Sequence, residues 1–276
     1  MAITAQEVNK LRQMTGAGMM DCKKALTEAG GDFDKAIDIL RKKGQKVSAS
    51  RADRDATEGA VFVKTNDTNT QGILIALNCE TDFVGKNEEF LALGNAILDA
   101  AFANSPATKE ELLKLKLDSL TIEEKITDMV GKIGEKIEVS EYVSLKGEAV
   151  VPYIHAGSKL GVLVALKNVN GTDVQDAGKD VGMQIAAMNP VAVDAEGVDQ
   201  SIIEKEIEIG KEQALAEGKP ANIVDKIAEG KLQKFFKDNT LLNQPFVKDN
   251  SLSVSKYLDG VHSGLTVTEF KRVSIG

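Results

Sequence analysis

The sequence is short of the residues that make metal sites, disulfide frameworks and nucleophilic enzymes. Its 276 residues include two cysteines, two histidines and no tryptophan. Cys22 and Cys79 lie far apart and share no spacing motif, which predicts a reducing compartment and no disulfide framework. His155 and His262 are also far apart, and no Cys or His pair has metal-ligand spacing, so no metal is expected. Cys79 stands beside an acid in "NCE" but without a base, which is a weak nucleophile signal. The simpler reading is a small apolar residue at a strand end, with Cys22 likewise on a helix face. No G-x-S-x-G motif or phosphate-binding loop occurs. The "GAG" at Gly16–Gly18 follows no strand and is not a dinucleotide fingerprint. The expectation is a protein with no catalytic residues, no cofactor and no enzymatic chemistry.

Long apolar runs are missing too. Those present are strand-sized or amphipathic, so no membrane span is expected. The opening "MAITAQEVNK" has neither a charged nor an apolar signal region, so no secretory leader is expected. Net charge is −8, with acids spread along the chain rather than blocked. That excludes the basic footprint of a direct nucleic-acid binder and a polybasic membrane anchor. Lys23–Lys24 and Arg41–Lys43 are small basic clusters, read as helix termini or a solvated face. The expected location is the cytoplasm.

What is present supports folded domains. Apolar residues make up 42 % of the chain, enough for sizeable cores, and the length suggests about two domains. Residues 1–44 read as three short helices. Thr4 and Glu7 form a capping box, and Val8, Leu11 and Met14 recur on one face. "GAG" breaks the first helix; Met19, Cys22 and Leu26 line the second. Asp32 caps the third, which carries Phe33, Ile37 and Leu40 and stops at Gly44. Three helices of this size look like a ubiquitin-associated-type bundle. Residues 45–57, "QKVSASRADRDAT", lack apolar periodicity and read as a linker.

An internal repeat follows. "EGAVFVKTNDTNTQGILIALN" from Glu58 aligns with "GEAVVPYIHAGSKLGVLVALK" from Gly147. Gly72, Leu74, Ala76 and Leu77 match Gly161, Leu163, Ala165 and Leu166 without a gap. Each unit reads as a hairpin followed by an amphipathic helix, with Phe90, Leu93, Ile97 and Ala101 in the first, and Val181, Ile185 and Met188 in the second. Between them, a capping box at Thr121 and Glu124 opens a helix that runs into a strand near Ile137–Leu145. The fold class expected is α+β: the three-helix bundle, then two related α+β subdomains over 58–146 and 147–276.

The second subdomain carries an insertion at about 201–237. Ser201 and Glu204 open a helix with Ile203, Ile207, Gly210 and Ala214 along its seam. "GKP" at Gly218–Pro220 breaks it, and a second helix carries Val224, Ala228, Leu232 and Phe235. This is an antiparallel helical hairpin of coiled-coil type that projects into solvent. "LLNQPFV" (Leu241–Val247) then returns to the core, and "GLTVTEFKRVSI" reads as a final strand.

One stretch asks for a different explanation. The buried-strand pattern "GILIALN" hands straight over to "CETDFVGKN", placing an acid and a large aromatic at the start of a polar loop. By composition alone Asp82 would cap a helix and Phe83 would pack inside. "NCETDFV" (Asn78–Val84), "LRQMTGAGMMDCKKAL" (Leu11–Leu26), "HAGSKLGVLVAL" (His155–Leu166) and "LLNQPFV" together, in order, resemble the bacterial elongation factor Ts family over nearly the whole chain.

That resemblance implies a guanine-nucleotide exchange factor for the GTPase elongation factor Tu. It implies that Thr81, Asp82, Phe83 and Val84 form a tip that enters the partner's nucleotide domain and dislodges Mg²⁺. Phe83 would be the wedge, Asp82 its polar half, and Thr81 a cap aiming both. Met19, Met20 and the "TGAG" turn are implied secondary contacts, as are His155 and Gly157. Gly85 stands where the family commonly has alanine, which by helix propensity loosens the tip. A further helical module of longer members, placed after the final strand, is not found here. The hairpin is implied to serve the partner, a homodimer or a heterotetramer, with the choice left open. The competing reading is a scaffold or chaperone-like adaptor, which would tolerate Phe83 buried where exchange needs it exposed.

Overall fold

Residues 3–276 are described by a computed structural model. The first three helices are α1 (Ala5–Thr15), α2 (Met19–Glu28) and α3 (Phe33–Arg51). The capping box is present: the Thr4 hydroxyl accepts from the Glu7 amide at 3.2 Å and the Glu7 carboxylate accepts from the Thr4 amide at 2.7 Å. Asp32 caps α3 by accepting from the Lys35 amide at 3.1 Å. Val8, Leu11, Cys22, Ala25, Leu26 and Ala36 form the bundle core. Two sequence expectations fail here. Met14 and Met19 are exposed rather than on the apolar faces, because three helices this short enclose only one or two layers of side chains. And α3 does not stop at Gly44 but runs to Arg51, so residues 45–51 of the expected linker are helical.

The next unit contains β1 (Glu58–Thr65), β2 (Gln71–Cys79), α4 (Asp82–Gly85), α5 (Glu88–Asn104) and α6 (Lys109–Lys114), then a two-residue pair β3 (Lys116–Leu117) and β4 (Leu120–Thr121), α7 (Ile122–Ile133) and β5 (Ile137–Lys146). The antiparallel sheet has the order β1-β2-β5. Ile73, Ile75 and Leu77 of β2 face the helices, where Phe90, Ile97 and Ala101 of α5 are fully buried. Leu74 and Ala76 face the other way, into a second core. A strand covered on both sides reads as one apolar run, which is the pattern of "GILIALN". Helix α7 supplies the reason α3 continues. Gly44 and Gly131 face each other at the α3–α7 crossing, where a Cβ on Gly131 would lie 2.6 Å from the Gly44 Cα. The glycine that looks like a stop is the point of closest helix approach.

The last unit contains β6 (Ala149–Ile154), β7 (Leu160–Lys167), α8 (Gln175–Met188), α9 (Gln200–Ala216), α10 (Ala221–Asn239), β8 (Pro245–Phe246), β9 (Asp249–Ser253), α11 (Val254–Val261) and β10 (Thr266–Ser274). Its main sheet has the order β10-β7-β6, all antiparallel. Val181 and Ile185 of α8 are buried, whereas Met188, expected on the same face, is exposed in the final turn. Asn189 ends that helix in the left-handed conformation, φ 44°. Leu241 and Phe246 return to the core as expected. They are tied there by Gln184, fully buried on α8: its amide donates to Gln244 Oε1 at 3.0 Å, and its carbonyl accepts from the Val247 amide at 2.8 Å.

The two sheets pack against each other through Val61, Leu74, Ala76, Val150, Leu163 and Ala165. Their contact is reciprocal. A Cβ on Gly72 would meet Leu163 at 2.6 Å and Val150 at 2.9 Å, and one on Gly161 would meet Val61 at 2.5 Å and Leu74 at 3.0 Å. These are aligned pairs of the sequence repeat, so the repeat is expressed as a local two-fold relation between the hairpins. Away from both sheets, α9 and α10 pack on each other around Gly210, Ala214, Val224 and Ala228. The cap of α9 is Asp199, accepting from the Ser201 amide at 2.8 Å, rather than Ser201 with Glu204. Asp199 starts the helix two residues earlier than the sequence pattern suggests. Among the described residues, no helix is long and apolar enough to cross a membrane.

Candidate functional site

Strand β2 ends at Cys79, and the chain turns through Glu80 and Thr81 into the four-residue helix α4. A helix this short is not stable alone and must be held by its surroundings. Val84 is buried among the core residues that include Phe90 and Leu93. Gly85 is buried too: a Cβ there would lie 3.3 Å from the N, Cα and O of Gly59. Gly85 therefore seats α4 directly on the β1 backbone.

The other end is clamped by charge. Thr81 is extended (φ −123°, ψ 153°) and its hydroxyl makes no cap hydrogen bond, contrary to the sequence expectation. Glu135 takes that hydroxyl instead, accepting at 2.7 Å, and also accepts from the Thr81 amide at 3.0 Å. A carboxylate is a stronger acceptor than any group the short helix offers. The neighbouring pair is reciprocal: Glu80 accepts from the Lys136 amide at 2.7 Å. The Arg51 guanidinium, at the end of α3, stands 3.3 Å from Glu80. Beneath the turn, Cys79 donates to the Thr81 carbonyl at 3.1 Å. Burial, followed by the charges of Glu135 and Glu58, pushes the Cys79 thiol up to about 12. It is a structural thiol, not a nucleophile.

What this frame presents is Phe83, 84 % exposed between the clamped Thr81 and the buried Val84. Beside it, Asp82 is exposed and pairs with Lys86 at 2.7 Å. The hydrogen bond from Lys86, and then its charge, hold the Asp82 carboxyl below its usual value. The tip of the chain is thus an aromatic ring next to an ionised carboxylate, on a backbone that has little freedom.

The β6–β7 turn lies beside the tip. Gly157, Ser158 and Lys159 line one groove with Glu58, Asp82, Gly85 and Lys86. The Ser158 carbonyl accepts from the Val61 amide at 2.7 Å, and Lys159 pairs with Glu58 at 2.5 Å. Gly157 is left-handed (φ 92°), and the exposed His155 has its Nδ1 3.0 Å from the Tyr153 hydroxyl. Asp82, Gly85 and Lys86 are therefore brought onto one surface with residues 157–159. Met19 and Met20 are exposed, at 54 % and 61 %, beyond the α1–α2 turn. That turn rests on α7: Gly16 lies against Lys132, which pairs with Glu89 in the first turn of α5.

Arg51, Glu80, Glu135 and Lys136 were not found by reading the sequence. Glu80 adjoins the tip and could have been suspected. Glu135 is 54 residues away from Thr81, with no spacing rule connecting the two. Among the described residues, no three of His, Cys, Asp or Glu are placed to hold a metal ion.

Comparison with known proteins bears on the whole chain. A family model described as elongation factor TS matches residues 80–276. The elongation factor Ts of Amoebophilus asiaticus is 59 % identical over 276 residues, covering 100 % of both chains. That of Cytophaga hutchinsonii is 61 % identical over 274 residues, covering 99 % of each. That of Porphyromonas gingivalis is 50 % identical over 276 residues, covering 100 % of this chain and 99 % of its own.

Proposed function

The chain belongs to the elongation factor Ts family and is a translation elongation factor, and we propose that it acts as a guanine-nucleotide exchange factor for the GTPase elongation factor Tu. The observation that carries this is Phe83, an aromatic left 84 % exposed by a backbone that is anchored on both sides of it. An exposed, preorganised aromatic is a binding anchor. The scaffold reading has no need of one.

The task of such a factor is energetic rather than chemical. A nucleotide held at about nanomolar affinity is bound by roughly 12 kcal/mol. With association near 10⁶ M⁻¹s⁻¹, its unaided release takes on the order of ten minutes or longer. Each tenfold acceleration needs about 1.4 kcal/mol of preference for the open partner. Full burial of a Phe side chain supplies about 1.5–3 kcal/mol, and it counts only where the slot exists in the nucleotide-releasing conformation. Asp82 brings a carboxylate to the place where Mg²⁺ bridges the phosphates, and that ion is the largest local charge there. Thr81 and Val84 hold the pair in place from within. No covalent step is required, and the action is set in the cytoplasm, where elongation takes place.

Met19, Met20, His155 and Gly157 are the proposed secondary contacts, since all are exposed and the β6–β7 turn shares a groove with the tip. The α9–α10 hairpin is proposed as a contact to the partner or to a second copy. Weakening is mutual: as the factor loosens GDP, GDP loosens the factor.

The test is release of a fluorescent GDP analogue from purified elongation factor Tu at fixed Mg²⁺. This chain has no tryptophan and adds little fluorescence of its own. Acceleration by orders of magnitude at sub-stoichiometric protein is expected. No acceleration of a competent partner would sink the exchange reading and put the scaffold reading first.

A further inference from the structure

We infer that Glu135 is a positioning residue for the exchange tip, the group that fixes the direction in which Phe83 leaves the surface. The inference rests on the exchange reading above for its functional consequence, but its structural content is independent of it. Phe83 cannot orient itself, because an exposed ring has no packing partner to hold it. Its direction follows from the backbone of residues 81–85. One end of that segment is fixed by the burial of Val84 and Gly85. The other end is fixed by Glu135, which accepts from the Thr81 amide at 3.0 Å and from the hydroxyl at 2.7 Å.

Glu135 is itself well placed to do this. Gly134 ends α7 in the left-handed conformation, φ 84°, which turns the chain toward the tip. The next amide, that of Lys136, donates to Glu80 at 2.7 Å, so the two segments exchange carboxylates. Arg51 stands 3.3 Å from Glu80, and the Lys136 ammonium donates to the Arg54 carbonyl at 3.1 Å. The end of α3 thus braces the same junction. Two charge-assisted bonds from one residue define both the position and the rotation of the Thr81 peptide, where one bond would leave a hinge. A wedge held at one angle makes its contacts with the nucleotide-releasing conformation of the partner, so a misdirected ring lowers the release rate even when the factor is bound.

The test uses the full chain with Glu135→Ala and Glu135→Gln, each alone and combined with Phe83→Ala. Glutamine can keep both links, with its carbonyl accepting from the amide and its NH₂ donating to the hydroxyl. Two readouts are needed: amide hydrogen exchange of residues 81–85 in the free protein, and the GDP release rate at saturating factor. Glu135→Ala is expected to speed tip exchange with solvent by about tenfold or more while β2 stays protected. It is expected to lower the saturating release rate by about tenfold, with Glu135→Gln restoring most of it. In the Phe83→Ala background it should lower the rate no further, because it acts through that ring. A shift only in the concentration needed for half-saturation, or losses that add to those of Phe83→Ala, would overturn the inference. Unchanged tip protection in Glu135→Ala would overturn it too. A wild-type chain with no exchange activity would instead overturn the exchange reading, and the hydrogen-exchange comparison alone would then decide whether Glu135 orders the tip.

Discussion

Gly44 of α3 and Gly131 of α7 meet backbone to backbone, with room for a side chain on only one of them. A Cβ on Gly131 would lie 2.6 Å from the Gly44 Cα, whereas one on Gly44 would find its nearest neighbour, the Thr127 carbonyl, at 3.4 Å. This crossing holds the bundle against the helix that leads into Glu135, so the bundle surface and the tip share one support. Gly131→Ala is expected to destabilise the protein by about 1–3 kcal/mol through overpacking. Gly44→Ala is expected to be near neutral, as it makes ordinary contacts and gains up to about 1 kcal/mol of helix propensity. Urea unfolding of both variants checks this; a Gly131→Ala variant as stable as the parent would mean that the helices move apart freely.

Phe83→Ala separates binding from folding. The ring is 84 % exposed, so the stability change should stay within about 0.5 kcal/mol. Exchange activity should fall by at least about tenfold if the ring supplies 1.4 kcal/mol or more of differential binding. Thermal unfolding and GDP release on the same preparation give both numbers. Equal stability with near-normal exchange would remove Phe83 from the mechanism.

The local two-fold relation of the hairpins makes a paired prediction. Gly72→Ala presses on Leu163 and Val150, and Gly161→Ala presses on Val61 and Leu74, at matching distances. Each should destabilise by about 1–3 kcal/mol and by similar amounts, since both push the sheets apart at equivalent points. Chemical denaturation of the two variants tests the equivalence. A large difference between them would show that the two hairpins do not share the load.

Cys79 gives a pH dependence. Its thiol is pushed from an ordinary 9.0 to about 12 in the folded chain. The folded state therefore keeps a proton that the unfolded state releases. This contribution to stability is whole below pH 9 and is lost as pH rises from there toward 12, at up to about 1.4 kcal/mol per pH unit. Cys79→Ala should flatten that alkaline decline in urea midpoints. The native thiol should also resist alkylation at pH 8.5 and react once denatured, as read by mass spectrometry.

Much of this protein was legible from local chemistry. The capping boxes at Thr4–Glu7 and Thr121–Glu124 could be read because their hydrogen bonds join residues three apart, and the buried run of β2 because burial on both faces leaves one apolar stretch. The motif "NCETDFV" marked the place of the tip by resemblance alone. Tertiary structure decided three things that local patterns cannot carry. It carried α3 past Gly44, because a glycine ends a helix where it turns left-handed, and Gly44 instead stays helical where the α7 backbone at Gly131 packs closely on it. It turned Met14, Met19 and Met188 outward, because periodicity names a face but not how far the core extends along it. And it brought Glu135 to Thr81 across 54 residues, because a carboxylate finds its donors through the path of the fold. The sequence by itself determined where the helices are capped and which strand is buried on both faces; only the tertiary structure, with Val84 packed in the core and Thr81 held by Glu135, left Phe83 84 % exposed rather than packed inside.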